Sequence, residues 1–535
     1  MVFPAEAFVA QPFIVAAFGD DRANLWPELL RHAPTRVAKV INEPAVRFAS
    51  SRSAGLERVP GGWCWGRHID SQERATDRRH AAHTLDLAGL WWDGRQALLH
   101  TGGLGVQEIY ARELDGTLYV ANRMTPLASI GPQLHVDWDA WAFFLTSQSF
   151  TTEDTPFVEI RRLAAGGLIR SDGTWEIDLP TWLFEVRGPS TLADVWAALN
   201  TAISPRRRSA IDVTLSGGLD SRLILAAITD RRTRGVSTWT THGTAGDAEM
   251  APAVAAARGV PNRVIESSLT DWTTHLLPTA RRLEHLTSLH NWLPPLLMKT
   301  DGRNGTVYDG FAGDLLLQSV ELAGARPEYF SWRSLTGSRW EPGDHSPPSL
   351  SADFRSRHAP RLFERWVDRH RVWAGHPAER ILRHFMTRPS HSAALSPFRL
   401  FSPRRRVVTP IIDPQVMAAA LALPRDSTPR NFRNELLYGF ARDLHALPAT
   451  SRPRSPKHGF VDRVSAPESV AYVASIIARE PVASGPLDTA LLSQLAAGDL
   501  PRSIWQGRLL HNCAILSDWL STWRTRLVSS DHDWQ

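Results

Sequence analysis

Ile211-Asp212-Val213-Thr214-Leu215-Ser216-Gly217-Gly218-Leu219-Asp220-Ser221 is the stretch on which the reading of this chain turns. The apolar run ending at Leu215 reads as a strand, and Arg222-Leu223-Ile224-Leu225-Ala226-Ala227-Ile228 beyond it reads as a helix. The two glycines between them let the backbone turn sharply and approach a ligand with no Cβ in the way. A helix start offers unpaired N–H groups and the positive end of its dipole, and both favour phosphate. Ser216 and Ser221 add hydroxyl donors, and Asp220 supplies carboxylate oxygen suited to Mg2+ beside phosphates. No Gly-Lys-Ser/Thr closes the loop, so this is not the Walker arrangement. A plain glycine turn is the alternative, but the complete Ser-Gly-Gly-x-Asp-Ser string between strand and helix reads as a nucleotide site.

Beyond this loop, strands and helices alternate, the pattern of a parallel sheet. Ser237-Thr238-Trp239-Thr240-Thr241 reads as the second strand, Asp247 to Arg258 as a helix, Val264-Ile265-Glu266 as the third strand and Thr306-Val307-Tyr308-Asp309-Gly310 as the fourth. From around position 350 the chain reads as mostly helical. The part before the loop reads as β-rich by alternation and turn signals. Leu85 to Trp92 and Leu118 to Ala121 are strand-like, with Asp93-Gly94 and Asp115-Gly116 as hairpin turns. Trp138 to Leu145 reads as a short helix. Ile160-Arg161-Arg162-Leu163 and Leu168-Ile169-Arg170 are expected to form a hairpin about Ala164-Ala165-Gly166-Gly167. A polar stretch from Glu185 to Ser190 divides the chain into 1–187 and 188–535, and Ser190 or Thr191 is placed to cap the helix that follows.

A chain of 535 residues exceeds one ordinary core, so two domains are expected. Hydrophobic residues at 43% and charged residues at 21% fit a globular protein. No apolar run approaches the ~18 residues of a membrane span, and Met1-Val2-Phe3-Pro4-Ala5-Glu6 lacks the basic start of a secretory signal, so a cytoplasmic location is expected. The two cysteines, Cys64 and Cys513, exclude a disulfide framework and a cysteine-rich zinc module, and read as small buried side chains. The net charge is only +5, and Arg206-Arg207-Arg208 and Arg404-Arg405-Arg406 read as solvated strand entrances. Nucleic-acid binding needs an extended basic face or a known module, and none is present in the sequence. The 21 tryptophans are scattered, and packing accounts for most of them, Trp63, Trp65, Trp91 and Trp92 included.

The loop resembles the pyrophosphate-binding loop of the ATP pyrophosphatases, enzymes that split ATP into AMP and pyrophosphate. Further segments follow it in one order: Thr241-His242-Gly243 with Asp247-Ala248-Glu249, Asp309-Gly310-Phe311-Ala312-Gly313-Asp314, Thr409-Pro410-Ile411-Ile412-Asp413, and Arg454-Ser455-Pro456-Lys457-His458-Gly459-Phe460. That set resembles the synthetase domain of the asparagine synthetase B family. Gly103-Leu104-Gly105-Val106-Gln107-Glu108-Ile109-Tyr110 resembles that family's glutaminase-type domain. The resemblance implies a mixed α/β fold of two domains. Residues 1–187 would be a degenerate Ntn-hydrolase-like (glutaminase-type) β-sandwich. Residues 188–535 would be an ATP-pyrophosphatase (adenine nucleotide alpha hydrolase-like) parallel-sheet domain with a helical C-terminal part.

Departures from the family point to function. Members that use glutamine carry a cysteine directly after the initiator methionine; here position 2 is Val2, which has no nucleophile. The family's Asn-Gly-Glu segment is replaced by Ala88-Gly89-Leu90-Trp91-Trp92-Asp93. Without an ammonia supply the attacking amine comes from elsewhere, as in the β-lactam synthetases and the lasso peptide cyclases. The β-lactam branch places a tyrosine in the second loop, where this chain has Phe311, with Tyr308 three residues earlier. A lasso cyclase attacks with a peptide's α-amine, whose unperturbed pKa is near ~8, and needs less help from a base.

The resemblance therefore implies ATP-dependent macrolactam formation on a lasso precursor. ATP would lie over Ser216, Gly217, Gly218, Leu219, Asp220 and Ser221, with Thr240, Gly313, Arg454 and Lys457 also at the nucleotide, and Trp239 beside the base. Asp220 and Asp314 would hold Mg2+. Lys457 would stabilise the oxyanion and departing AMP as a compact cation. Asp247 and Glu249 fit the family pattern but read equally as helix-start carboxylates. The implied partners are the precursor core peptide after leader removal, a leader peptidase and a leader-recognition protein. A β-lactam-type or asparagine-type synthetase acting on a small substrate, or a non-catalytic peptide-binding scaffold, are the rival readings.

Overall fold

The computed structural model describes residues 13–19, 21, 24–33, 37–43, 46–51, 56–59, 61–65, 88–92, 96–103, 105, 107–147, 150, 153–177, 188–203, 210–241, 246–265, 269–286, 305–317, 350–371, 405–424, 430–449, 466–499 and 504–528. Residue 2 and the Asp93-Gly94 turn therefore lie outside the described residues.

The N-terminal part is antiparallel. Its strands are β1 (Ile14–Phe18), β2 (Val37–Glu43), β3 (Val46–Ser51), β4 (Glu57–Val59), β5 (Gly62–Trp65), β6 (Ala88–Trp92), β7 (Ala97–His100), β8 (Tyr110–Leu114), β9 (Thr117–Ala121), β10 (Arg161–Arg162), β11 (Gly167–Arg170) and β12 (Trp175–Ile177). They form two six-stranded sheets, in the orders β10-β8-β9-β1-β3-β2 and β12-β11-β7-β6-β5-β4. Successive strand residues face opposite sides, and β1 shows what that does here. Ile14, Ala16 and Phe18 join Trp65, Ala88, Leu90 and Leu99 in a core between the two sheets. Phe13, Val15 and Ala17 face the other way, into a core with Trp141, Phe144, Leu516 and Trp519. That second core also takes in Phe354, Val473 and Ile476, so the expected segments 1–187 and 188–535 share buried apolar surface.

The Asp115-Gly116 turn joins β8 to β9 with both residues in the left-handed region (φ 49° and 74°), the conformation a two-residue hairpin requires. The hairpin expected about Ala164–Gly167 does not form. The turn itself closes, with the Gly167 amide donating to the Ala164 carbonyl at 2.9 Å. Its two arms, however, belong to different sheets: β10 pairs with β8, and β11 pairs with β7 and β12. The Thr101 hydroxyl, which donates to Ala164 O and accepts from the Gly167 amide, anchors the crossing. Trp65 lies in the inter-sheet core, Trp63 and Trp92 pack against it, and Trp91 packs with Cys64, Leu98 and Leu168, so these rings serve packing.

The second half opens with the helix Leu192–Ala202, whose start carries a capping box between Thr191 and Asp194. The strands that follow are β13 (Ile211–Thr214), β14 (Val236–Thr241), β15 (Asn262–Ile265), β16 (Gly305–Tyr308) and β17 (Arg405–Val408). All pair in parallel, in the order β15-β14-β13-β16-β17. Arg405 and Arg406 thus lie within β17 rather than ahead of it. The sheet is covered by Leu192–Ala202, by the wholly buried face of Leu219–Thr229, and by Leu436 and Leu437 of Phe432–Phe440. No described helix is long and apolar enough to cross a membrane.

Candidate functional site

The strand order fixes where a ligand belongs. The chain steps outward from β13 to β14 and β15, then returns to lay β16 on the other side of β13. In open parallel sheets the crevice at such a reversal, beyond the carboxyl ends of the strands, is where ligands bind. The loop 215–218 leaves β13 at that point and the loop 309–312 leaves β16 beside it.

The first loop is held by its own side chains. The Ser221 hydroxyl accepts from the Ser216 amide at 3.1 Å and lies 3.1 Å from the Ser216 hydroxyl, which accepts from the Gly218 amide at 3.1 Å. Leu219 begins the helix and packs against the sheet core. The Gly217 amide donates to Asp247 Oδ1 at 2.7 Å. Asp247 opens the helix Asp247–Ala257, whose N-cap, Gly246, has no side-chain cap, so this carboxylate serves the glycine loop. Thr240, at the end of β14, donates its hydroxyl to Leu215 O and ties the second strand to the same loop. Trp239 is buried in the sheet core.

The second loop is pressed onto the first. A Cβ on Gly313 would stand 2.2 Å from Asp220 Oδ1, and one on Gly310 would stand 3.0 Å from the Ser221 nitrogen. Contact requires glycine at 313, and at 310 an added Cβ would be tight against the start of the helix. Ala312 between them takes the left-handed conformation (φ 71°). Asp309, 3% exposed, shapes this loop by accepting from the Thr214 hydroxyl at 2.8 Å and from the Phe311 amide at 2.9 Å. Burial pushes its carboxyl above the ordinary range, and the two bonds oppose that shift. Tyr308 and Phe311 are both core side chains. The backbone of Asp314 lies in the helix Gly313–Leu316; its side chain, and Arg454 and Lys457 entirely, lie outside the described residues.

Two arginines complete the arrangement, and neither was singled out in sequence. Arg433 NH1 donates to both carboxylate oxygens of Asp220 at 3.1 Å. Arg222 is fully buried beneath the loop and donates to Gly217 O. Asp220 and Arg433 are 213 residues apart, so no local pattern links them. Among the described residues no cluster of three or more His, Cys, Asp or Glu side chains is placed to hold a metal.

The site thus gathers two serine hydroxyls, the three backbone amides of Ser216, Gly217 and Gly218, the carboxylates of Asp220 and Asp247, and Arg433 on Asp220, at a helix start. Hydroxyls and amides at a helix start are the groups from which anion sites are built. No protein-family model and no curated protein matches this chain.

Proposed function

We propose that this chain is an ATP-dependent, AMP-forming amide ligase that closes the macrolactam ring of a lasso peptide. The observation that carries the reading is the contact between the two loops. Ser216 to Ser221 lies at the reversal point of a parallel sheet, and the second loop is pressed against it, closely at Gly310 and with no room for a side chain at Gly313. On this reading the antiparallel sheets are a degenerate glutaminase-type sandwich of the Ntn-hydrolase kind, and the parallel sheet is an ATP-pyrophosphatase domain.

The Ser216 and Ser221 hydroxyls would receive the phosphates of ATP, joined by the 216–218 amides on exchanging their bonds to Ser221, Asp247 and Ser216 for phosphate oxygens, with Thr240 and Gly313 at the border of the nucleotide. Arg433 holds both Asp220 oxygens at 3.1 Å, so a metal ion at Asp220 would take the place of this guanidinium. On this reading Asp220, released from Arg433, and Asp314 would hold Mg2+, which would supply neutralisation of phosphate charge. An Asp or Glu side-chain carboxylate of the precursor core peptide attacks the α-phosphorus, and pyrophosphate leaves. The peptide's N-terminal amine then attacks the acyl carbon, loses a proton, and AMP departs, leaving an isopeptide bond. Lys457 and Arg454 are proposed to stabilise the oxyanion and the leaving AMP. A peptidase and a leader-recognition protein are the proposed partners that supply the trimmed peptide.

The test is incubation of the full chain with Mg2+, ATP and candidate core peptides that have a free N-terminus and an Asp or Glu several residues along. The expected product is lighter than the peptide by one water and accompanied by AMP. Release of ADP, or asparagine made from aspartate and ammonium, would overturn the assignment.

A further inference from the structure

Arg222 sits in the first turn of the helix Leu219–Thr229 with no exposed surface. Its guanidinium donates to four main-chain carbonyls: Gly217 O at 3.0 Å, Leu444 O at 3.0 Å, Leu447 O at 2.9 Å, and Pro448 O. Among the described residues no carboxylate bonds it, and burial alone drives its pKa below the ordinary value. Burying a cation without a counter-charge is costly. Carbonyls at the end of the short helix Arg442–His445 supply partial negative charge instead. They also fix the guanidinium from below, so it holds the Gly217 carbonyl from a rigid base.

The peptide between Gly217 and Gly218 is trans, as are all described peptides. In a trans peptide the C=O and the N–H point in opposite directions. With its oxygen drawn inward to Arg222, this peptide turns its N–H to the side of the loop where the Ser216 hydroxyl lies, 3.1 Å away.

We propose that Arg222 is a positioning residue for the anion loop: it sets the direction of the Gly218 N–H and places a positive charge, held by main-chain carbonyls, one peptide behind the phosphates that the loop would receive. This rests on the reading of the loop as a nucleotide site, and concerns a residue that touches no substrate itself.

Calorimetric titration of the full-length protein with Mg2+-pyrophosphate and Mg2+-ATP at several salt concentrations tests it, on wild type, Arg222→Met and Arg222→Lys, each also melted thermally. Loss of a charge-assisted hydrogen bond corresponds to roughly ten- to hundredfold in affinity. Arg222→Met is expected to bind pyrophosphate at least about tenfold more weakly, with a shallower dependence on salt. Arg222→Lys keeps the charge, but one ammonium cannot span Gly217 and the 444–448 carbonyls together. It should recover the salt slope and only part of the affinity, with faster amide exchange at Gly218. A folded Arg222→Met with wild-type affinity and salt slope would reduce Arg222 to a structural staple and overturn the proposal. Should Arg222→Met not fold, Arg222→Lys decides: unchanged affinity and unchanged exchange at Gly218 overturn it. Wild type binding neither probe would sink the nucleotide reading as well, an outcome separate from variants that bind as wild type does.

Discussion

Arg433 reaches across from the helix Phe432–Phe440 to place one guanidinium nitrogen 3.1 Å from each oxygen of Asp220, in the first turn of the helix Leu219–Thr229. The two side chains are 12% and 25% exposed, between the regime of surface pairs and that of buried ones. A coupling of about 1 kcal/mol is therefore expected. Urea unfolding of Arg433→Ala, Asp220→Ala and the double variant gives that coupling directly. Single-variant losses that simply add would show that the pair has no energetic content.

The contact between the loops makes an opposite pair of glycine predictions. A methyl at Gly313 would meet three atoms of Asp220 within 2.8 Å, including its Cβ, so the side chain cannot merely swing aside. Gly313→Ala is expected to destabilise the fold by about 1–3 kcal/mol and to weaken Mg2+-ATP binding. Gly439, in the exposed part of Phe432–Phe440, has nothing within 4 Å of an added Cβ. There, replacing glycine by alanine in a helix should stabilise by about 0.5 kcal/mol. Thermal melts of both variants check the contrast, and similar shifts for the two would refute it.

What was legible in the sequence was what local chemistry decides. Ile211–Thr214 alternates and is followed by two glycines, so strand, turn and helix are visible within twenty residues. Asp115-Gly116 announces a turn that needs positive φ twice. What was hidden depends on partners far along the chain. The Ala164–Gly167 turn looks like a hairpin because its own closing bond is real. Its arms separate because Arg161-Arg162 pairs with Tyr110-Ala111 in one sheet and Leu168–Arg170 with Leu98–His100 in the other. Arg222 read as one residue of an apolar helix, since its carbonyl partners at Leu444, Leu447 and Pro448 are more than two hundred positions away. Asp247 read as a helix-start carboxylate, and only the fold brings the Gly217 amide to it.

Both cysteines have no exposed surface, and burial pushes the Cys513 thiol well above its ordinary value. The thiolate is the reactive form, so neither residue should alkylate in the native protein. Intact-mass measurement after iodoacetamide is expected to show no adduct under native conditions and two in denaturant. Rapid native modification at Cys64 or Cys513 would contradict the packing of both cores.

Asp518, on the helix Ile504–Trp523, accepts from Arg281 at 2.9 and 2.6 Å and lies 2.8 Å from the Nε2 of His285. His285 and Glu284 before it both have positive φ (59° and 54°), an uncommon backbone for such residues that carries His285 to the carboxylate. Burial by itself would push the Asp518 carboxyl up, but His285 and Arg281 outweigh it and bring it from 3.8 down to about 2. A carboxyl with a native pKa below its unfolded one adds stability above the unfolded value and loses it as pH falls through the native value. At pH 7 this is on the order of 2 kcal/mol. Asp518→Asn should therefore unfold at lower urea than wild type at pH 7. The gap between the two proteins should hold down to about pH 5, narrow from about pH 4 as Asp518 of the unfolded chain takes up its proton, and close only as the pH falls through about 2, where the native carboxylate is protonated too. A gap that stays constant from pH 7 to pH 3 would mean that the carboxylate's charge contributes nothing, and that His285 and Arg281 hold this corner by packing alone.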